Sequence, residues 1–231
     1  MIFLPLKRYA VAILLLTSGL SQASNSQANN VAQPQQGVHN NTRLQMILGV
    51  NAQASMDSLT NAASQLQMLY QQHPDYRMAK MFSGYAQLFM AKDFLLKKNY
   101  MRAAESSKLG FFYIDEAAET DENDWQMRYL RARMDAFVPA SNGRCVVALQ
   151  DLNFLQQNPA VPADLKPMIL LMSANALTDC QRESDAKAAL ASLAQLGEEG
   201  KRLATLKGRA APAWTPAELK NILQPLAEIP L

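Results

Sequence analysis

The sequence predicts an all-α fold, an array of antiparallel helix hairpins, and three observations carry that prediction. Alanine and leucine supply 35 and 32 of the 231 residues, whereas valine, isoleucine and threonine together supply 22. Alanine and leucine lose little on entering a helix, while β-branched residues suit strands, so a β-sandwich or a parallel α/β sheet is disfavoured. Apolar residues recur at three- and four-residue steps along most of the chain. Turn signals then divide it into three helix–turn–helix units at about 76–120, 125–158 and 164–196, a spacing typical of α-hairpin arrays. The alternative architecture is a non-repeating helical bundle.

The first residues predict export. Lys7 and Arg8 form a basic region, Ala10 to Leu16 is an unbroken apolar run, and Ser21-Gln22-Ala23 fits the small-x-small cleavage rule. The run is far shorter than the roughly 20 residues a membrane span needs. Residues 1–23 are therefore expected to be a signal peptide cut after Ala23, and the protein to be periplasmic or secreted. No later segment is apolar for long enough to span, so no integral membrane segment is expected after cleavage. Removing Lys7 and Arg8 turns 22 bases against 20 acids into 20 against 20. A formally neutral chain lacks the basic excess on which a nucleic-acid binder depends.

Residues 24–42 contain eleven Asn, Gln or Ser in nineteen, which leaves little to bury and predicts a disordered leader. A single all-helical domain is expected over 43–231. Its first helical segment runs about 43–71, with Met46, Leu48, Met56, Leu59, Ala63, Leu66 and Leu69 on the apolar stripe and Gly49 as a break. His73-Pro74-Asp75 ends it, because proline removes a donor and restricts the residue before it. The next helix, about 76–98, is apolar on most of its circumference, with a polar strip only at Ser83, Gln87 and Lys92. That pattern predicts packing on several sides and a place at the centre of the fold.

Lys97-Lys98-Asn99 reads as a turn, followed by a helix over 100–120. Asp115 to Asp124 holds six acids in ten residues and reads as a solvated helix end and loop. A calcium loop would need alternating aspartates, a central glycine and a terminal glutamate, which are lacking. Trp125 to Phe137 is the next helix, with Trp125, Tyr129, Leu130, Met134 and Phe137 as its apolar side. Pro139 to Gly143 is a loop. From Cys145 the apolar positions continue at helical steps through Leu155, which outweighs a valine-rich strand at 145–149. Pro159, Pro162 and Asp164 mark a boundary before the helical pair Leu165–Leu177 and Ser184–Leu196. Gly197, Gly200 and Gly208 lie around a basic, less periodic stretch with Lys201, Arg202, Lys207 and Arg209. Thr215-Pro216-Ala217-Glu218 starts a last helix to about Leu226 with a capping box.

Export frames the two cysteines, Cys145 and Cys180. An even count in an oxidising compartment predicts a disulfide. A metal site would need more ligands than these and His39 and His73 offer. A catalytic thiol is the other alternative.

Small residues are needed where two helices touch, with large ones wedged beside them. Ala91 and Phe94 on one helix, with Tyr100, Ala103 and Gly110 on the next, supply that pattern. Ala174, Leu177, Ala186 and Leu193 supply it again. In these positions the chain resembles the tetratricopeptide repeat, although that family's first-helix Trp and Leu-Gly pair are missing. The resemblance implies a right-handed α-α superhelix that binds peptides or partner proteins on a concave face lined by the first helix of each repeat. Carried over, it points to Tyr85, Leu88, Lys92 and Leu95. The all-round apolarity of that helix places Tyr85 and Leu88 in the core and leaves Lys92 as the accessible one. In a stacked array the turn holding Cys180 and the start of the helix at Cys145 share one edge, so their sulfurs meet.

The sequence has no glycine-rich phosphate loop, no HExxH and no Cys-x-x-Cys. A serine triad needs a histidine base, and His39 falls in the leader and His73 in a His-Pro turn. Met78 with Met81, and Met168 with Met172, read as core filler rather than copper ligands. The expectation is a noncatalytic interaction module or adaptor without cofactor or metal, whose partner is an envelope or secreted protein or peptide. The alternatives are a helical carrier of an apolar ligand and an envelope polysaccharide hydrolase using paired carboxylates.

Overall fold

The computed structural model describes residues 36–206 and 210–231, with 36–41 by backbone alone. The expected signal peptide and the leader as far as residue 35 lie outside the described residues. Among those described, the chain forms ten helices: α1 (Gln36–Gly49), α2 (Met56–Gln72), α3 (Arg77–Leu96), α4 (Tyr100–Glu119), α5 (Trp125–Asp135), α6 (Cys145–Gln157), α7 (Lys166–Asp179), α8 (Glu183–Ala194), α9 (Gly197–Ala204) and α10. Helix α10 joins Pro216–Glu218, a π turn at Leu219–Leu223, and Gln224–Ala227. Helix α1 begins at Gln36, inside the segment read as leader.

Local signals set most boundaries. Ser55 caps α2 by accepting from the Ser58 N–H at 3.1 Å, and Asp124 caps α5 by accepting from Gln126 and Met127 N–H. The capping box at Thr215 forms, with the Thr215 hydroxyl and the Glu218 carboxylate each accepting from the other's backbone N–H. Gly49 ends α1, and residues 50–55 separate it from α2.

Adjacent helices pack antiparallel, α2 on α3, α3 on α4, α5 on α6, α6 on α7, and α7 on α8. Helices α3 and α4 approach closely because Gly84 and Gly110 face each other. A Cβ added at Gly84 would lie 2.7 Å from the Gly110 carbonyl oxygen. The first and last helices also meet, and Arg43 donates to the Ile229 carbonyl at 2.7 Å.

The α3–α4 and α7–α8 connections are the same turn. In the first, Asn99 N–H bonds to Phe94 O and Lys98 N–H to Leu95 O; in the second, Arg182 N–H bonds to Leu177 O and Gln181 N–H to Thr178 O. This is the Schellman closure, with Lys98 (φ 58°) and Gln181 (φ 62°) at the left-handed position where glycine is usual. Ala91 and Ala103 flank the first turn and Ala174 and Ala186 the second, all four buried. Cys145 and Cys180 form a disulfide with a Cα–Cα distance of 5.6 Å, joining the start of α6 to the end of α7.

One helix was not anticipated and one expectation needs correction. The stretch at Gly197 is helical: Glu198 and Glu199 open α9 and Lys201 and Arg202 close it, complementing the helix dipole. Gly200 lies so close to α8 that an added Cβ would be 2.2 Å from Leu193 O. The acidic segment is not simply solvated, since Asp115, Glu116, Glu119, Asp121 and Asp124 each have a basic partner. Helix α3 packs on α2, α4 and α5, as its all-round apolarity predicts, and α5 is buried without interruption from Met127 to Ala136. Helix α3 is buried through Ala91 and then emerges into solvent.

Candidate functional site

The four positions singled out along α3 divide into two pairs. Tyr85 is buried, and its hydroxyl donates to the Leu130 carbonyl of α5. Burial holds that phenol protonated, far above its ordinary range. Leu88 is buried against Gly110. Lys92 and Leu95 are exposed, so the helix leaves the core between Leu88 and Lys92.

From Leu95 to Arg102 every residue is exposed. That run includes four large apolar side chains: Leu95 is 53% exposed, Leu96 75%, Tyr100 66% and Met101 83%. Scattered apolar residues on a surface are ordinary, but four within one turn form a patch that calls for a cause. Lys92, Lys97, Lys98 and Arg102 are exposed in the same hairpin end, and Lys97 pairs with Asp93 at 2.8 Å. The Arg102 guanidinium lies 5.8 Å from the Phe94 ring centroid. The α5–α6 side of the molecule meets α4 lower down, where the Arg144 guanidinium sits 4.7 Å from the Phe111 ring centroid. From that level to Tyr100 the helix rises a further ~16 Å at 1.5 Å per residue.

A second concentration of polar chemistry lies inside. Helix α5 carries Arg128, Arg131, Arg133 and Asp135, all buried. Arg131 grips the fully buried Asp151 with Nε and Nη2 at 2.7 and 3.0 Å and reaches Glu119 at 3.0 Å. Arg133 bonds Glu218 at 2.6 Å and lies 3.6 Å from the Trp214 ring centroid. Tyr129 also donates to Glu218. Arg128 lies over Phe154 at 4.2 Å. Arg144 holds both Asp135 and Asp115. Burial pushes the Asp135 carboxyl up to about 7, against the pull of Arg144. Its side chain has no solvent exposure, so a substrate does not reach it in this arrangement. These groups pair with one another, apart from the buried Arg128 Nε, which has no hydrogen-bond partner, and hold α4, α5, α6 and α10 together. The arginines escaped the sequence reading because a polar residue on a helix counts against burial. The signal that was present is the excess of acids at 115–124, which needed bases from elsewhere.

A pocket of about 390 Å³ lies beside α7, α9 and α10, lined by Asp164, Pro167, Met168, Glu199, Leu203, Thr215, Pro216 and Ala217. Its two carboxylates are engaged, Asp164 with Asn221 and Glu199 with Arg202. The hydrogen bonds from Arg202 hold Glu199 below its ordinary value. A glycosidase acid needs the opposite shift. Among the described residues no group of three or more His, Cys, Asp or Glu is placed to hold a metal ion, and no helix is long and apolar enough to cross a membrane. No protein-family model, curated protein or solved structure matches this chain.

Proposed function

We propose that this protein is a noncatalytic docking module, an adaptor of the tetratricopeptide-like α-hairpin type that works after export. The observation that carries the reading is the α3–α4 end, where four large apolar side chains stand in solvent with exposed cations close by in the chain. Exposure of that kind costs solubility and is retained where something covers it. Two further features support the reading. The internal charges are spent on each other, so they serve rigidity. The twin Schellman turns with alanines on either side fit a repeated hairpin, and the Cys145–Cys180 disulfide fits an oxidising compartment.

The test is capture from envelope and soluble extracts by the oxidised protein and by Leu96→Asp/Met101→Asp. Both changed residues are exposed, so the variant keeps its melting temperature and loses the specific captured material. Identical capture by both proteins contradicts the reading.

The pocket beside α9 favours a second reading, carriage of a small, largely apolar ligand, because its volume falls in the range of such sites. Leu203→Trp fills it and abolishes binding of an apolar fluorophore if the pocket is the site. Unchanged fluorophore binding removes this reading.

A further inference from the structure

We infer that the α3–α4 end docks on the surface of an anionic lipid bilayer, as a peripheral anchor; this rests on the docking reading above and names the partner. The composition of the end is that of an interfacial wedge. Leu95, Leu96 and Met101 supply apolar insertion, and Tyr100 supplies the amphipathic ring that settles at headgroup level. Lys92, Lys97, Lys98 and Arg102 stand at the same end, where ammonium and guanidinium groups meet lipid phosphates while their stems lie along the apolar side chains. Over residues 92–108 the cations are Lys92, Lys97, Lys98, Arg102 and Lys108, against Asp93 and Glu105. The chain left after the expected cleavage is formally neutral, so this excess is local. At the other end of α4, about 30 Å away along a 20-residue helix, five of the acids are paired with bases. The charge is therefore unevenly placed, with Lys97 paired to Asp93 and a net positive excess where the apolar side chains are.

Shape separates a bilayer from a protein as the occupant. A stable protein interface takes about 800 Å² and 20–30 residues from each side. The α3–α4 end offers eight consecutive exposed residues, Leu95 to Arg102, fewer than that, so a bilayer suits it better than a large protein interface. Interfacial insertion reaches only ~5–10 Å into the headgroup region and needs few side chains. Along α4 the end lies about 16 Å from the Phe111 level at which Arg144 meets the helix, a distance greater than that depth. The closed Schellman turn holds Lys98 at φ 58°, which keeps the wedge ordered before it meets the surface.

The experiment is co-sedimentation of the oxidised protein with vesicles of phosphatidylglycerol and phosphatidylethanolamine, and with vesicles of phosphatidylcholine alone. Binding is expected only to the anionic vesicles and weakens as salt rises. Leu96→Asp/Met101→Asp loses at least ~10-fold in partition. Lys98→Gly, which suits the left-handed position and preserves the turn, loses about five-fold, the share of one lysine near an anionic surface. Equal binding to both vesicle types, or binding that ignores both variants, overturns the inference. If no vesicle is bound while Leu96→Asp/Met101→Asp still abolishes capture of a protein from envelope extract, the lipid inference falls and the docking reading stands. If neither vesicles nor extract distinguish the variant, both fall.

Discussion

An arginine inside a protein core is tolerated only when carboxylates, carbonyls or aromatic faces replace its water. Helix α5 satisfies that condition for Arg131 and Arg133 and meets it in part for Arg128, whose guanidinium lies on Phe154 while its buried Nε has no hydrogen-bond partner. Arg131→Leu leaves Asp151 buried with Arg128 as its nearest cation, 3.7 Å away. The expected loss is about 3–5 kcal/mol, read as a lower urea midpoint with unchanged slope. A loss below about 1 kcal/mol contradicts the paired network. Asp135 gives the pH dependence. Its ordinary value is 3.8 and its folded value about 7, so the folded protein binds the extra proton between them. Stability from this group is complete below the lower value and is lost as pH rises through the higher one. The melting temperature of the wild type is therefore expected to fall relative to Asp135→Asn between about pH 4 and pH 8. A difference constant with pH contradicts it. None of this was legible in the sequence, because the partners are distant: Glu218 lies 85 residues from Arg133. Periodicity reports which side chains prefer to be buried, not which are forced to be by their neighbours.

At the scale of elements the sequence was far more informative, because caps and breakers act locally. Ser55, Asp124, Thr215, Pro74 and Gly49 mark boundaries that the structure keeps. Helix α9 was not anticipated because its two glycines interrupt the apolar period; Gly197 reverses the chain at φ 63° and Gly200 allows close approach to α8. The acid-first, base-last order of 198–202 was the readable clue. The α3–α4 contact makes a sharp prediction. Gly84→Ala places a methyl 2.7 Å from the Gly110 carbonyl oxygen and from an Ile114 side-chain carbon. It is expected to cost about 1–3 kcal/mol of unfolding free energy. Gly49→Ala meets nothing within 4 Å and is expected to stay within about 0.5 kcal/mol of wild type. Equal effects of the two substitutions contradict the close crossing.

For the whole molecule, the legible part was the set of paired helices and the edge on which the two cysteines meet. The disulfide closes a separation of 35 residues and is expected to contribute roughly 3–4 kcal/mol in the chain-entropy model. Urea unfolding with and without reductant measures it, and an unchanged midpoint contradicts it. The candidate surface was legible in half. The resemblance selected Lys92 and Leu95, but Leu96, Tyr100 and Met101 read as ordinary hairpin residues, because a helix pattern alone does not show where a hairpin leaves the core. Burial supplied that, and it made the α3–α4 end the working surface of the account. Fractionation of cells that export the protein tests this most directly. The wild type is expected to sediment with the envelope membranes and Leu96→Asp/Met101→Asp to remain in the soluble fraction; the same distribution for both would contradict it.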